Sequence, residues 1–76
     1  MRHDESIDCM RGKLEEVRVK YPTGRAFVRE VRRRTRCMKN WEKLDSWAWV
    51  LWDENLPGLS READRRRDQF RKKRGV

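Results

Sequence analysis

Apolar side chains recur at helical spacing in the first part of the chain. From residue 7 to residue 21 they lie three or four positions apart, which at about 100° per residue places them on one face of a helix. These residues are Ile7, Met10, Leu14, Val17 and Tyr21. Acidic residues crowd the start of this segment and Lys20 ends it, as the helix dipole favours. The pattern predicts an amphipathic helix over residues 4–20.

A second helix is predicted between two strong breaks in the chain, Tyr21-Pro22-Thr23-Gly24 and Asn55-Leu56-Pro57-Gly58. It should run from residue 24 to about residue 38, with Thr23 as its cap. Its apolar face is formed by Phe27, Val28, Val31, Thr35 and Met38. These residues share an arc of about 100° at helical periodicity.

A third helix is predicted from residue 40 to about residue 54, with Asn40 as its cap. It contains the stretch SWAWVLW, residues 46–52, which a buried strand would also explain. Helix is favoured because a strand here has no polar side and no convincing partner strand. Its predicted core face consists of Trp41, Leu44, Trp47, Ala48, Leu51 and Trp52. Trp49 and Val50 are left on the flank.

The last segment, residues 60–74, predicts a basic helix that begins at a Ser60 cap and ends before Gly75. It has few apolar residues to dock, so its end should fray. The predicted fold class is all-α: a small bundle of three packed helices plus a basic C-terminal helix, with a helix-turn-helix-like arrangement as one form. We expect a single domain over residues 1–76, with mobile ends at roughly 1–5 and 72–76.

Charge is distributed in blocks along this chain, which carries a net charge of +8 and 45% charged residues. Residues 25–39 hold seven basic side chains and one acidic, and residues 59–76 hold eight and three. Residues 40–58 hold one basic and four acidic side chains. Because a solvated shell would mix its signs, these blocks indicate two surfaces with different partners.

Several function classes are disfavoured by the composition. No stretch approaches a membrane span, and the N-terminal residues MRHDESIDC lack the apolar segment of a signal peptide, so we expect a cytoplasmic protein. Cys9, Cys37 and a single histidine are too few for a zinc site, and free thiols are expected. No catalytic motif or phosphate loop is present. We therefore predict no enzyme activity, cofactor, metal or small-molecule substrate.

The second helix carries the sharpest functional signal. Five arginines fall within an arc of about 100°; they are Arg25, Arg29, Arg32, Arg33 and Arg36. Their charges repel one another unless a partner compensates them, and guanidinium groups fork onto phosphates. The predicted nucleic-acid-binding set adds Arg65, Arg66, Arg71 and Lys72 from the C-terminal segment. The alternative is a face that only solubilises the chain.

Residues 56–75, LPGLSREADRRRDQFRKKRG, carry a Pro-Gly turn and a serine before a basic helix. In this they resemble the start of the third helix of Myb/SANT-like helix-turn-helix domains. The resemblance covers about a quarter of the chain, and the tryptophans do not follow that family's spacing. It implies a helix that enters the major groove of DNA, although Asp64 and Asp68 share the side of Arg61 and Lys72.

Trp49 and its neighbours predict a second, different surface. Acidic side chains next to an aromatic ring repel phosphate and suit a basic protein surface. The predicted protein-partner residues are Trp49, Val50, Asp45 and Asp53.

Two main function hypotheses follow. The first is a non-enzymatic regulator of a nucleic-acid process, transcription above all, that binds DNA or RNA. The alternative is a small phage-type protein that modulates a host RNA polymerase or a similar nucleic-acid machine through protein contacts. A structural component of a nucleoprotein assembly is a third reading, and membrane-surface binding ranks lower.

Overall fold

The computed structural model describes the backbone of residues 3–73 and the side chains of residues 7–72, and this part of the chain is helical without a strand. Its helices are α1 (His3–Lys20), α2 (Gly24–Cys37), α3 (Trp41–Asp53) and α4 (Pro57–Lys73). The all-α prediction is confirmed. The ends predicted to be mobile lie largely outside the described residues.

The break between α3 and α4 is a Schellman-type helix end. Asn55 adopts the left-handed conformation with φ 64°, which asparagine tolerates better than most residues. The backbone N–H of Leu56 donates to the carbonyl of Leu51 at 2.8 Å, and that of Asn55 donates to Trp52 at 3.0 Å. These bonds satisfy carbonyls that the end of α3 leaves open. The half-buried Leu56 also packs against the core.

Helix α4 begins at Pro57, three residues before the predicted start at Ser60. Proline suits the first helical position because its fixed φ is helical and its missing N–H has no helical partner there. Ser60 is therefore not the cap. Its hydroxyl is buried and donates to the carbonyl of Ala48 at 2.7 Å, which fastens α4 to α3.

The predicted caps of α2 and α3 differ in outcome. Asn40 caps α3 as expected, because its side chain accepts hydrogen bonds from the backbone of Glu42 and Lys43. Thr23 occupies the N-cap position of α2, but its side chain makes no capping bond. The following Gly24 has φ 77°, a conformation that strains residues with a Cβ.

The helices pack in a ring. Helices α3 and α4 make the most extensive contact, α1 packs on α3, and α2 packs on both α4 and α1. Helices α2 and α3 therefore stand on a diagonal of the bundle, with their outer faces on opposite sides. The finer division into three packed helices and one added helix stays a prediction.

Trp47 forms the centre of the core and has no exposed surface. Its indole N–H donates to the hydroxyl of Thr35 at 2.8 Å, and that hydroxyl donates to the carbonyl of Val31 at 2.9 Å. This chain of bonds satisfies the only polar atom of the indole. It also joins α2 and α3 through the middle of the bundle.

The predicted core face of α3 is wrong at two positions. Trp52, assigned to the core, is 64% exposed, whereas Val50, assigned to the flank, is fully buried. The reason is that α3 packs against α1 on one side and α4 on the other, so its buried arc is wider and rotated. Ser46 and Val50 enter this arc, Trp52 leaves it, and Trp41 stays half-buried.

Charge separates between the two sides of the bundle. Helix α2 carries six basic residues and one acidic, and α4 carries seven and three. Helix α1 carries four basic and five acidic residues, and α3 carries one and three. Because α2 contacts α4 and α1 contacts α3, the bundle has a strongly basic side and, among the side chains that the structure describes, a side on which acidic and basic residues nearly balance.

Candidate nucleic-acid interface

Three arginines project from the outer face of α2 with their charges uncompensated. Arg25, Arg29 and Arg36 are exposed, and the helix buries its opposite face through Phe27 and Val31. Among the described residues, no carboxylate lies within ion-pairing distance of these three guanidinium groups. Each is therefore available to a negatively charged partner.

This face continues across α2 onto the start of α4. Arg32 lines two adjoining shallow clefts, one with the three arginines above and the other with Arg61 and Arg65 of α4. It also bonds Glu62 at 3.1 Å, with both side chains about half exposed. Such an exposed pair stabilises by about 0 to 1 kcal/mol, so a phosphate can compete for Arg32. We call this set the arginine surface: Arg25, Arg29, Arg32, Arg36, Arg61 and Arg65.

Arg33 lies at the edge of this face and differs from its neighbours. Its guanidinium donates two hydrogen bonds to Glu30, at 2.8 and 2.6 Å, and Arg34 donates a third at 3.1 Å. The bonds from Arg33 are the main cause that lowers the pKa of Glu30 to about 2. The same carboxylate holds the pKa of Arg33 above its usual range. The charge of Arg33 is thus compensated within the chain.

The predicted residues of α4 separate into different environments. Arg65 belongs to the arginine surface, and Lys72 is exposed near the end of the described chain. Arg66 instead donates to the carbonyls of Arg36 at 2.6 Å and Met38 at 3.3 Å, which ties α4 to the end of α2.

Arg71 lies on another side of the molecule. Its guanidinium stacks 5.2 Å from the ring centre of Trp41 on α3. The nine predicted residues therefore do not form one surface. Five of them belong to the arginine surface: Arg25, Arg29, Arg32, Arg36 and Arg65.

A second basic cleft lies where α1, the end of α2 and the start of α3 meet. Its basic lining comes from three separate segments and is formed by Lys13, Arg33, Arg34, Lys39 and Lys43, beside Cys37. Sequence reasoning missed this cleft and also missed Arg61. No spacing rule could have found the cleft, because it depends on contacts between residues far apart in the sequence, whereas Arg61 lies one helical turn before Arg65 and could have been found from spacing.

The predicted protein-partner residues also separate. Trp49 is 44% exposed, and the guanidinium of Arg11 lies 5.6 Å from its ring centre. Arg11 also bonds Asp53 at 2.8 Å, so this carboxylate is already paired. Val50 cannot contact a partner because it is buried.

Asp45 is likewise paired, with Arg67 of α4 at 2.6 Å. Both carboxylates assigned to a partner on the flank of α3 are therefore paired with an arginine of a neighbouring helix. The remaining feature of that flank is its exposed tryptophans.

The thiols and acidic groups do not converge on a reactive centre. Cys9 and Cys37 are both exposed and free. Among the residues that the structure describes, no group of three or more His, Cys, Asp and Glu side chains is placed to hold a metal ion. Over the same residues, no helix has the length and apolar character needed to cross a bilayer.

The likeness of residues 56–75 to Myb/SANT-like domains rests on those residues alone. No protein-family model matches the chain, and neither a curated protein nor a solved structure matches it significantly.

Proposed function

We propose that this protein is a non-enzymatic regulator of a nucleic-acid process, with transcription as that process, and that it binds nucleic acid through the arginine surface. The observation that carries the proposal is the row of uncompensated guanidinium groups at Arg25, Arg29 and Arg36. We place this activity in the cytoplasm.

Electrostatics supports a polyanionic partner. Like charges one helical turn apart destabilise a helix by a few tenths of a kcal/mol for each pair. Phosphate groups remove this repulsion and accept two hydrogen bonds from one guanidinium, which a lysine cannot supply. The arginine surface therefore gains more from phosphate than from water.

The dimensions of the row suit a phosphate backbone. Arg25 and Arg36 are separated by about 16 Å along the axis of α2, at about 1.5 Å per residue. One strand of a duplex carries one phosphate per about 3.4 Å of helix axis, so a row of this length extends over about five base-pair steps of the axis. Arg61 and Arg65 widen the contact across a second helix, as a groove or a second strand requires.

Helix α2 rather than α4 is the helix we place nearest the phosphates. On α4, Arg66 holds the end of α2 and Arg67 bonds Asp45, so neither is available. Major-groove reading by α4, which the helix-turn-helix resemblance implies, is therefore the less favoured geometry.

The test is fluorescence anisotropy of a labelled DNA duplex and a labelled RNA single strand at low and moderate salt. If the six members of the arginine surface each contact a phosphate, affinity should fall on the order of 10³-fold between about 50 and 200 mM salt. Changing Arg25, Arg29 and Arg36 together to alanine should reduce the slope of log affinity against log salt by about 3.

The matched control is Arg33→Ala against Arg29→Ala. Both remove one arginine from α2, but only Arg29 is uncompensated, so Arg29→Ala should weaken binding more. Absence of binding to both nucleic acids at low salt would reject the proposal. An unchanged salt slope in the triple variant would reject it equally.

A further inference from the structure

Two tryptophans of α3 face solvent on the side of the bundle away from the arginine surface. Trp49 is 44% exposed and Trp52 is 64% exposed, and they lie three positions apart, so they are neighbours on the helix. Exposed rings contribute little to the core, and exposed apolar clusters commonly mark contact sites. The pair therefore needs a functional explanation.

The two rings have different surroundings. The guanidinium of Arg11 lies over Trp49, and that of Arg71 lies over the half-buried Trp41. Among the described residues, no arginine or lysine is placed over Trp52 in this way. The most exposed ring thus keeps its electron-rich face open to a cation from outside.

Acidic side chains lie on the Trp49 side of the pair. Asp8 and Glu15 lie three residues before and four after Arg11, so on α1 they are neighbours of the arginine that lies over Trp49. Glu42 lies seven residues before Trp49, on the same face of α3. Within the part of the chain that the structure describes, these three exposed carboxylates make no ion pair. We call this set the tryptophan surface: Trp49, Trp52, Asp8, Glu15 and Glu42.

We propose that the tryptophan surface docks another protein through a basic segment whose apolar side chains pack on Trp49 and Trp52. Tryptophan at the centre of a contact with charge at its rim is the usual composition of a binding hot spot. The free carboxylates attract lysine and arginine at the edge and repel phosphate, which disfavours nucleic acid as the occupant. A second copy is disfavoured because each chain carries a net charge of +8.

The tryptophan surface and the arginine surface lie on different sides of the bundle. The arginine surface lies on α2 and the start of α4, and the tryptophan surface lies on α3 and α1, so the two surfaces share no helix and can be occupied together. The protein can therefore hold a basic protein segment on one side while the other side stays open. This inference does not depend on the proposed binding of nucleic acid.

The test uses two labelled synthetic helical peptides of equal length with identical leucine positions. One carries lysine and arginine at its polar positions, and the other carries glutamate. The wild-type protein should bind the basic peptide, and any binding of the acidic peptide to the arginine surface should be unchanged in Trp52→Ala. Trp52→Ala should weaken binding of the basic peptide at least about tenfold.

Tyr21→Ala is the matched control because it truncates an exposed aromatic ring outside the tryptophan surface and should leave the affinity unchanged. Circular dichroism checks that Trp52→Ala keeps its helices. No binding of the basic peptide, or equal binding by Trp52→Ala, would overturn the proposal. So would loss of nucleic-acid binding in Trp52→Ala, or sedimentation showing a dimer that this change dissociates.

Discussion

The outer faces of α2 and α3 differ in how their charges are compensated. On α2, Arg25, Arg29 and Arg36 have no carboxylate partner among the described residues, so the face stays strongly positive. On α3, Asp45 and Asp53 are each bound by an arginine of a neighbouring helix. The difference teaches that an arginine's role follows from its partner rather than from its place in a basic block.

Within α3, burial separates two tryptophans in a similar way. Trp47 and Trp52 lie on one helix, five residues apart, yet only Trp47 fills the core. Trp47→Ala should lower the free energy of unfolding by about 3 to 5 kcal/mol, because it leaves a cavity and removes a buried hydrogen bond to Thr35. Urea denaturation followed by circular dichroism measures this change.

The comparison variant is Trp52→Ala, which should change the free energy of unfolding by no more than about 0.5 kcal/mol. A loss in Trp52→Ala as large as that in Trp47→Ala would mean that Trp52 packs in the core. The tryptophan surface would then not exist.

The sequence predicted the helices well because apolar spacing and turn residues act locally. It misjudged which side of α3 is buried, since a helical wheel places the buried face at the centre of the apolar residues. Packing between α1 and α4 instead buries Ser46 and Val50, which a wheel assigns to the flank. That outcome depends on the arrangement of three helices, which no single segment encodes.

The candidate site shows the same limit of prediction from sequence. The arginine row of α2 was predictable from spacing within one helix. The pairing of Arg32 with Glu62, and the bonds from Arg66 to the end of α2, join residues about thirty positions apart. Sequence spacing therefore identified the arginines but could not separate those that are free from those bonded within the chain.

The hydrogen bond from the Trp47 indole to Thr35 gives a second test of the comparison between α2 and α3, because it joins these two helices. Thr35→Val removes the acceptor of the Trp47 indole N–H and leaves that donor buried without a partner. The free energy of unfolding should fall by about 1 to 3 kcal/mol. Thr23→Val is the control, since Thr23 is exposed and makes no capping bond; an equal loss in both variants would contradict the role of Thr35.

Two adjacent arginines of α4 test whether a partner decides a residue's role. Arg66→Ala removes the hydrogen bonds to the end of α2 and should lower the free energy of unfolding by about 1.5 kcal/mol. Arg65→Ala should leave stability unchanged and weaken nucleic-acid binding instead. Thermal denaturation and anisotropy should be measured on both variants. A loss of stability in Arg65→Ala equal to that in Arg66→Ala, or unchanged nucleic-acid binding by Arg65→Ala, would contradict this division of roles.

The smallest expected effect concerns Glu30, whose pKa is about 2 in the folded protein against an ordinary value of 4.5. Between these pH values the unfolded chain binds more protons than the folded one, so the contribution of Glu30 to stability is complete above about pH 4.5 and is lost as the pH falls toward 2. Glu30→Gln should therefore be less stable than the wild type at neutral pH, and the difference should shrink on acidification. Glu15→Gln, at an exposed position without an ion pair, should follow the wild type throughout. A deficit in Glu30→Gln that stays constant with pH would show that packing, not charge, is responsible.

The same substitution frees Arg33, so it should also steepen the salt dependence of nucleic-acid binding. Arg33, at the edge of the arginine surface, would then be uncompensated like Arg25, Arg29 and Arg36.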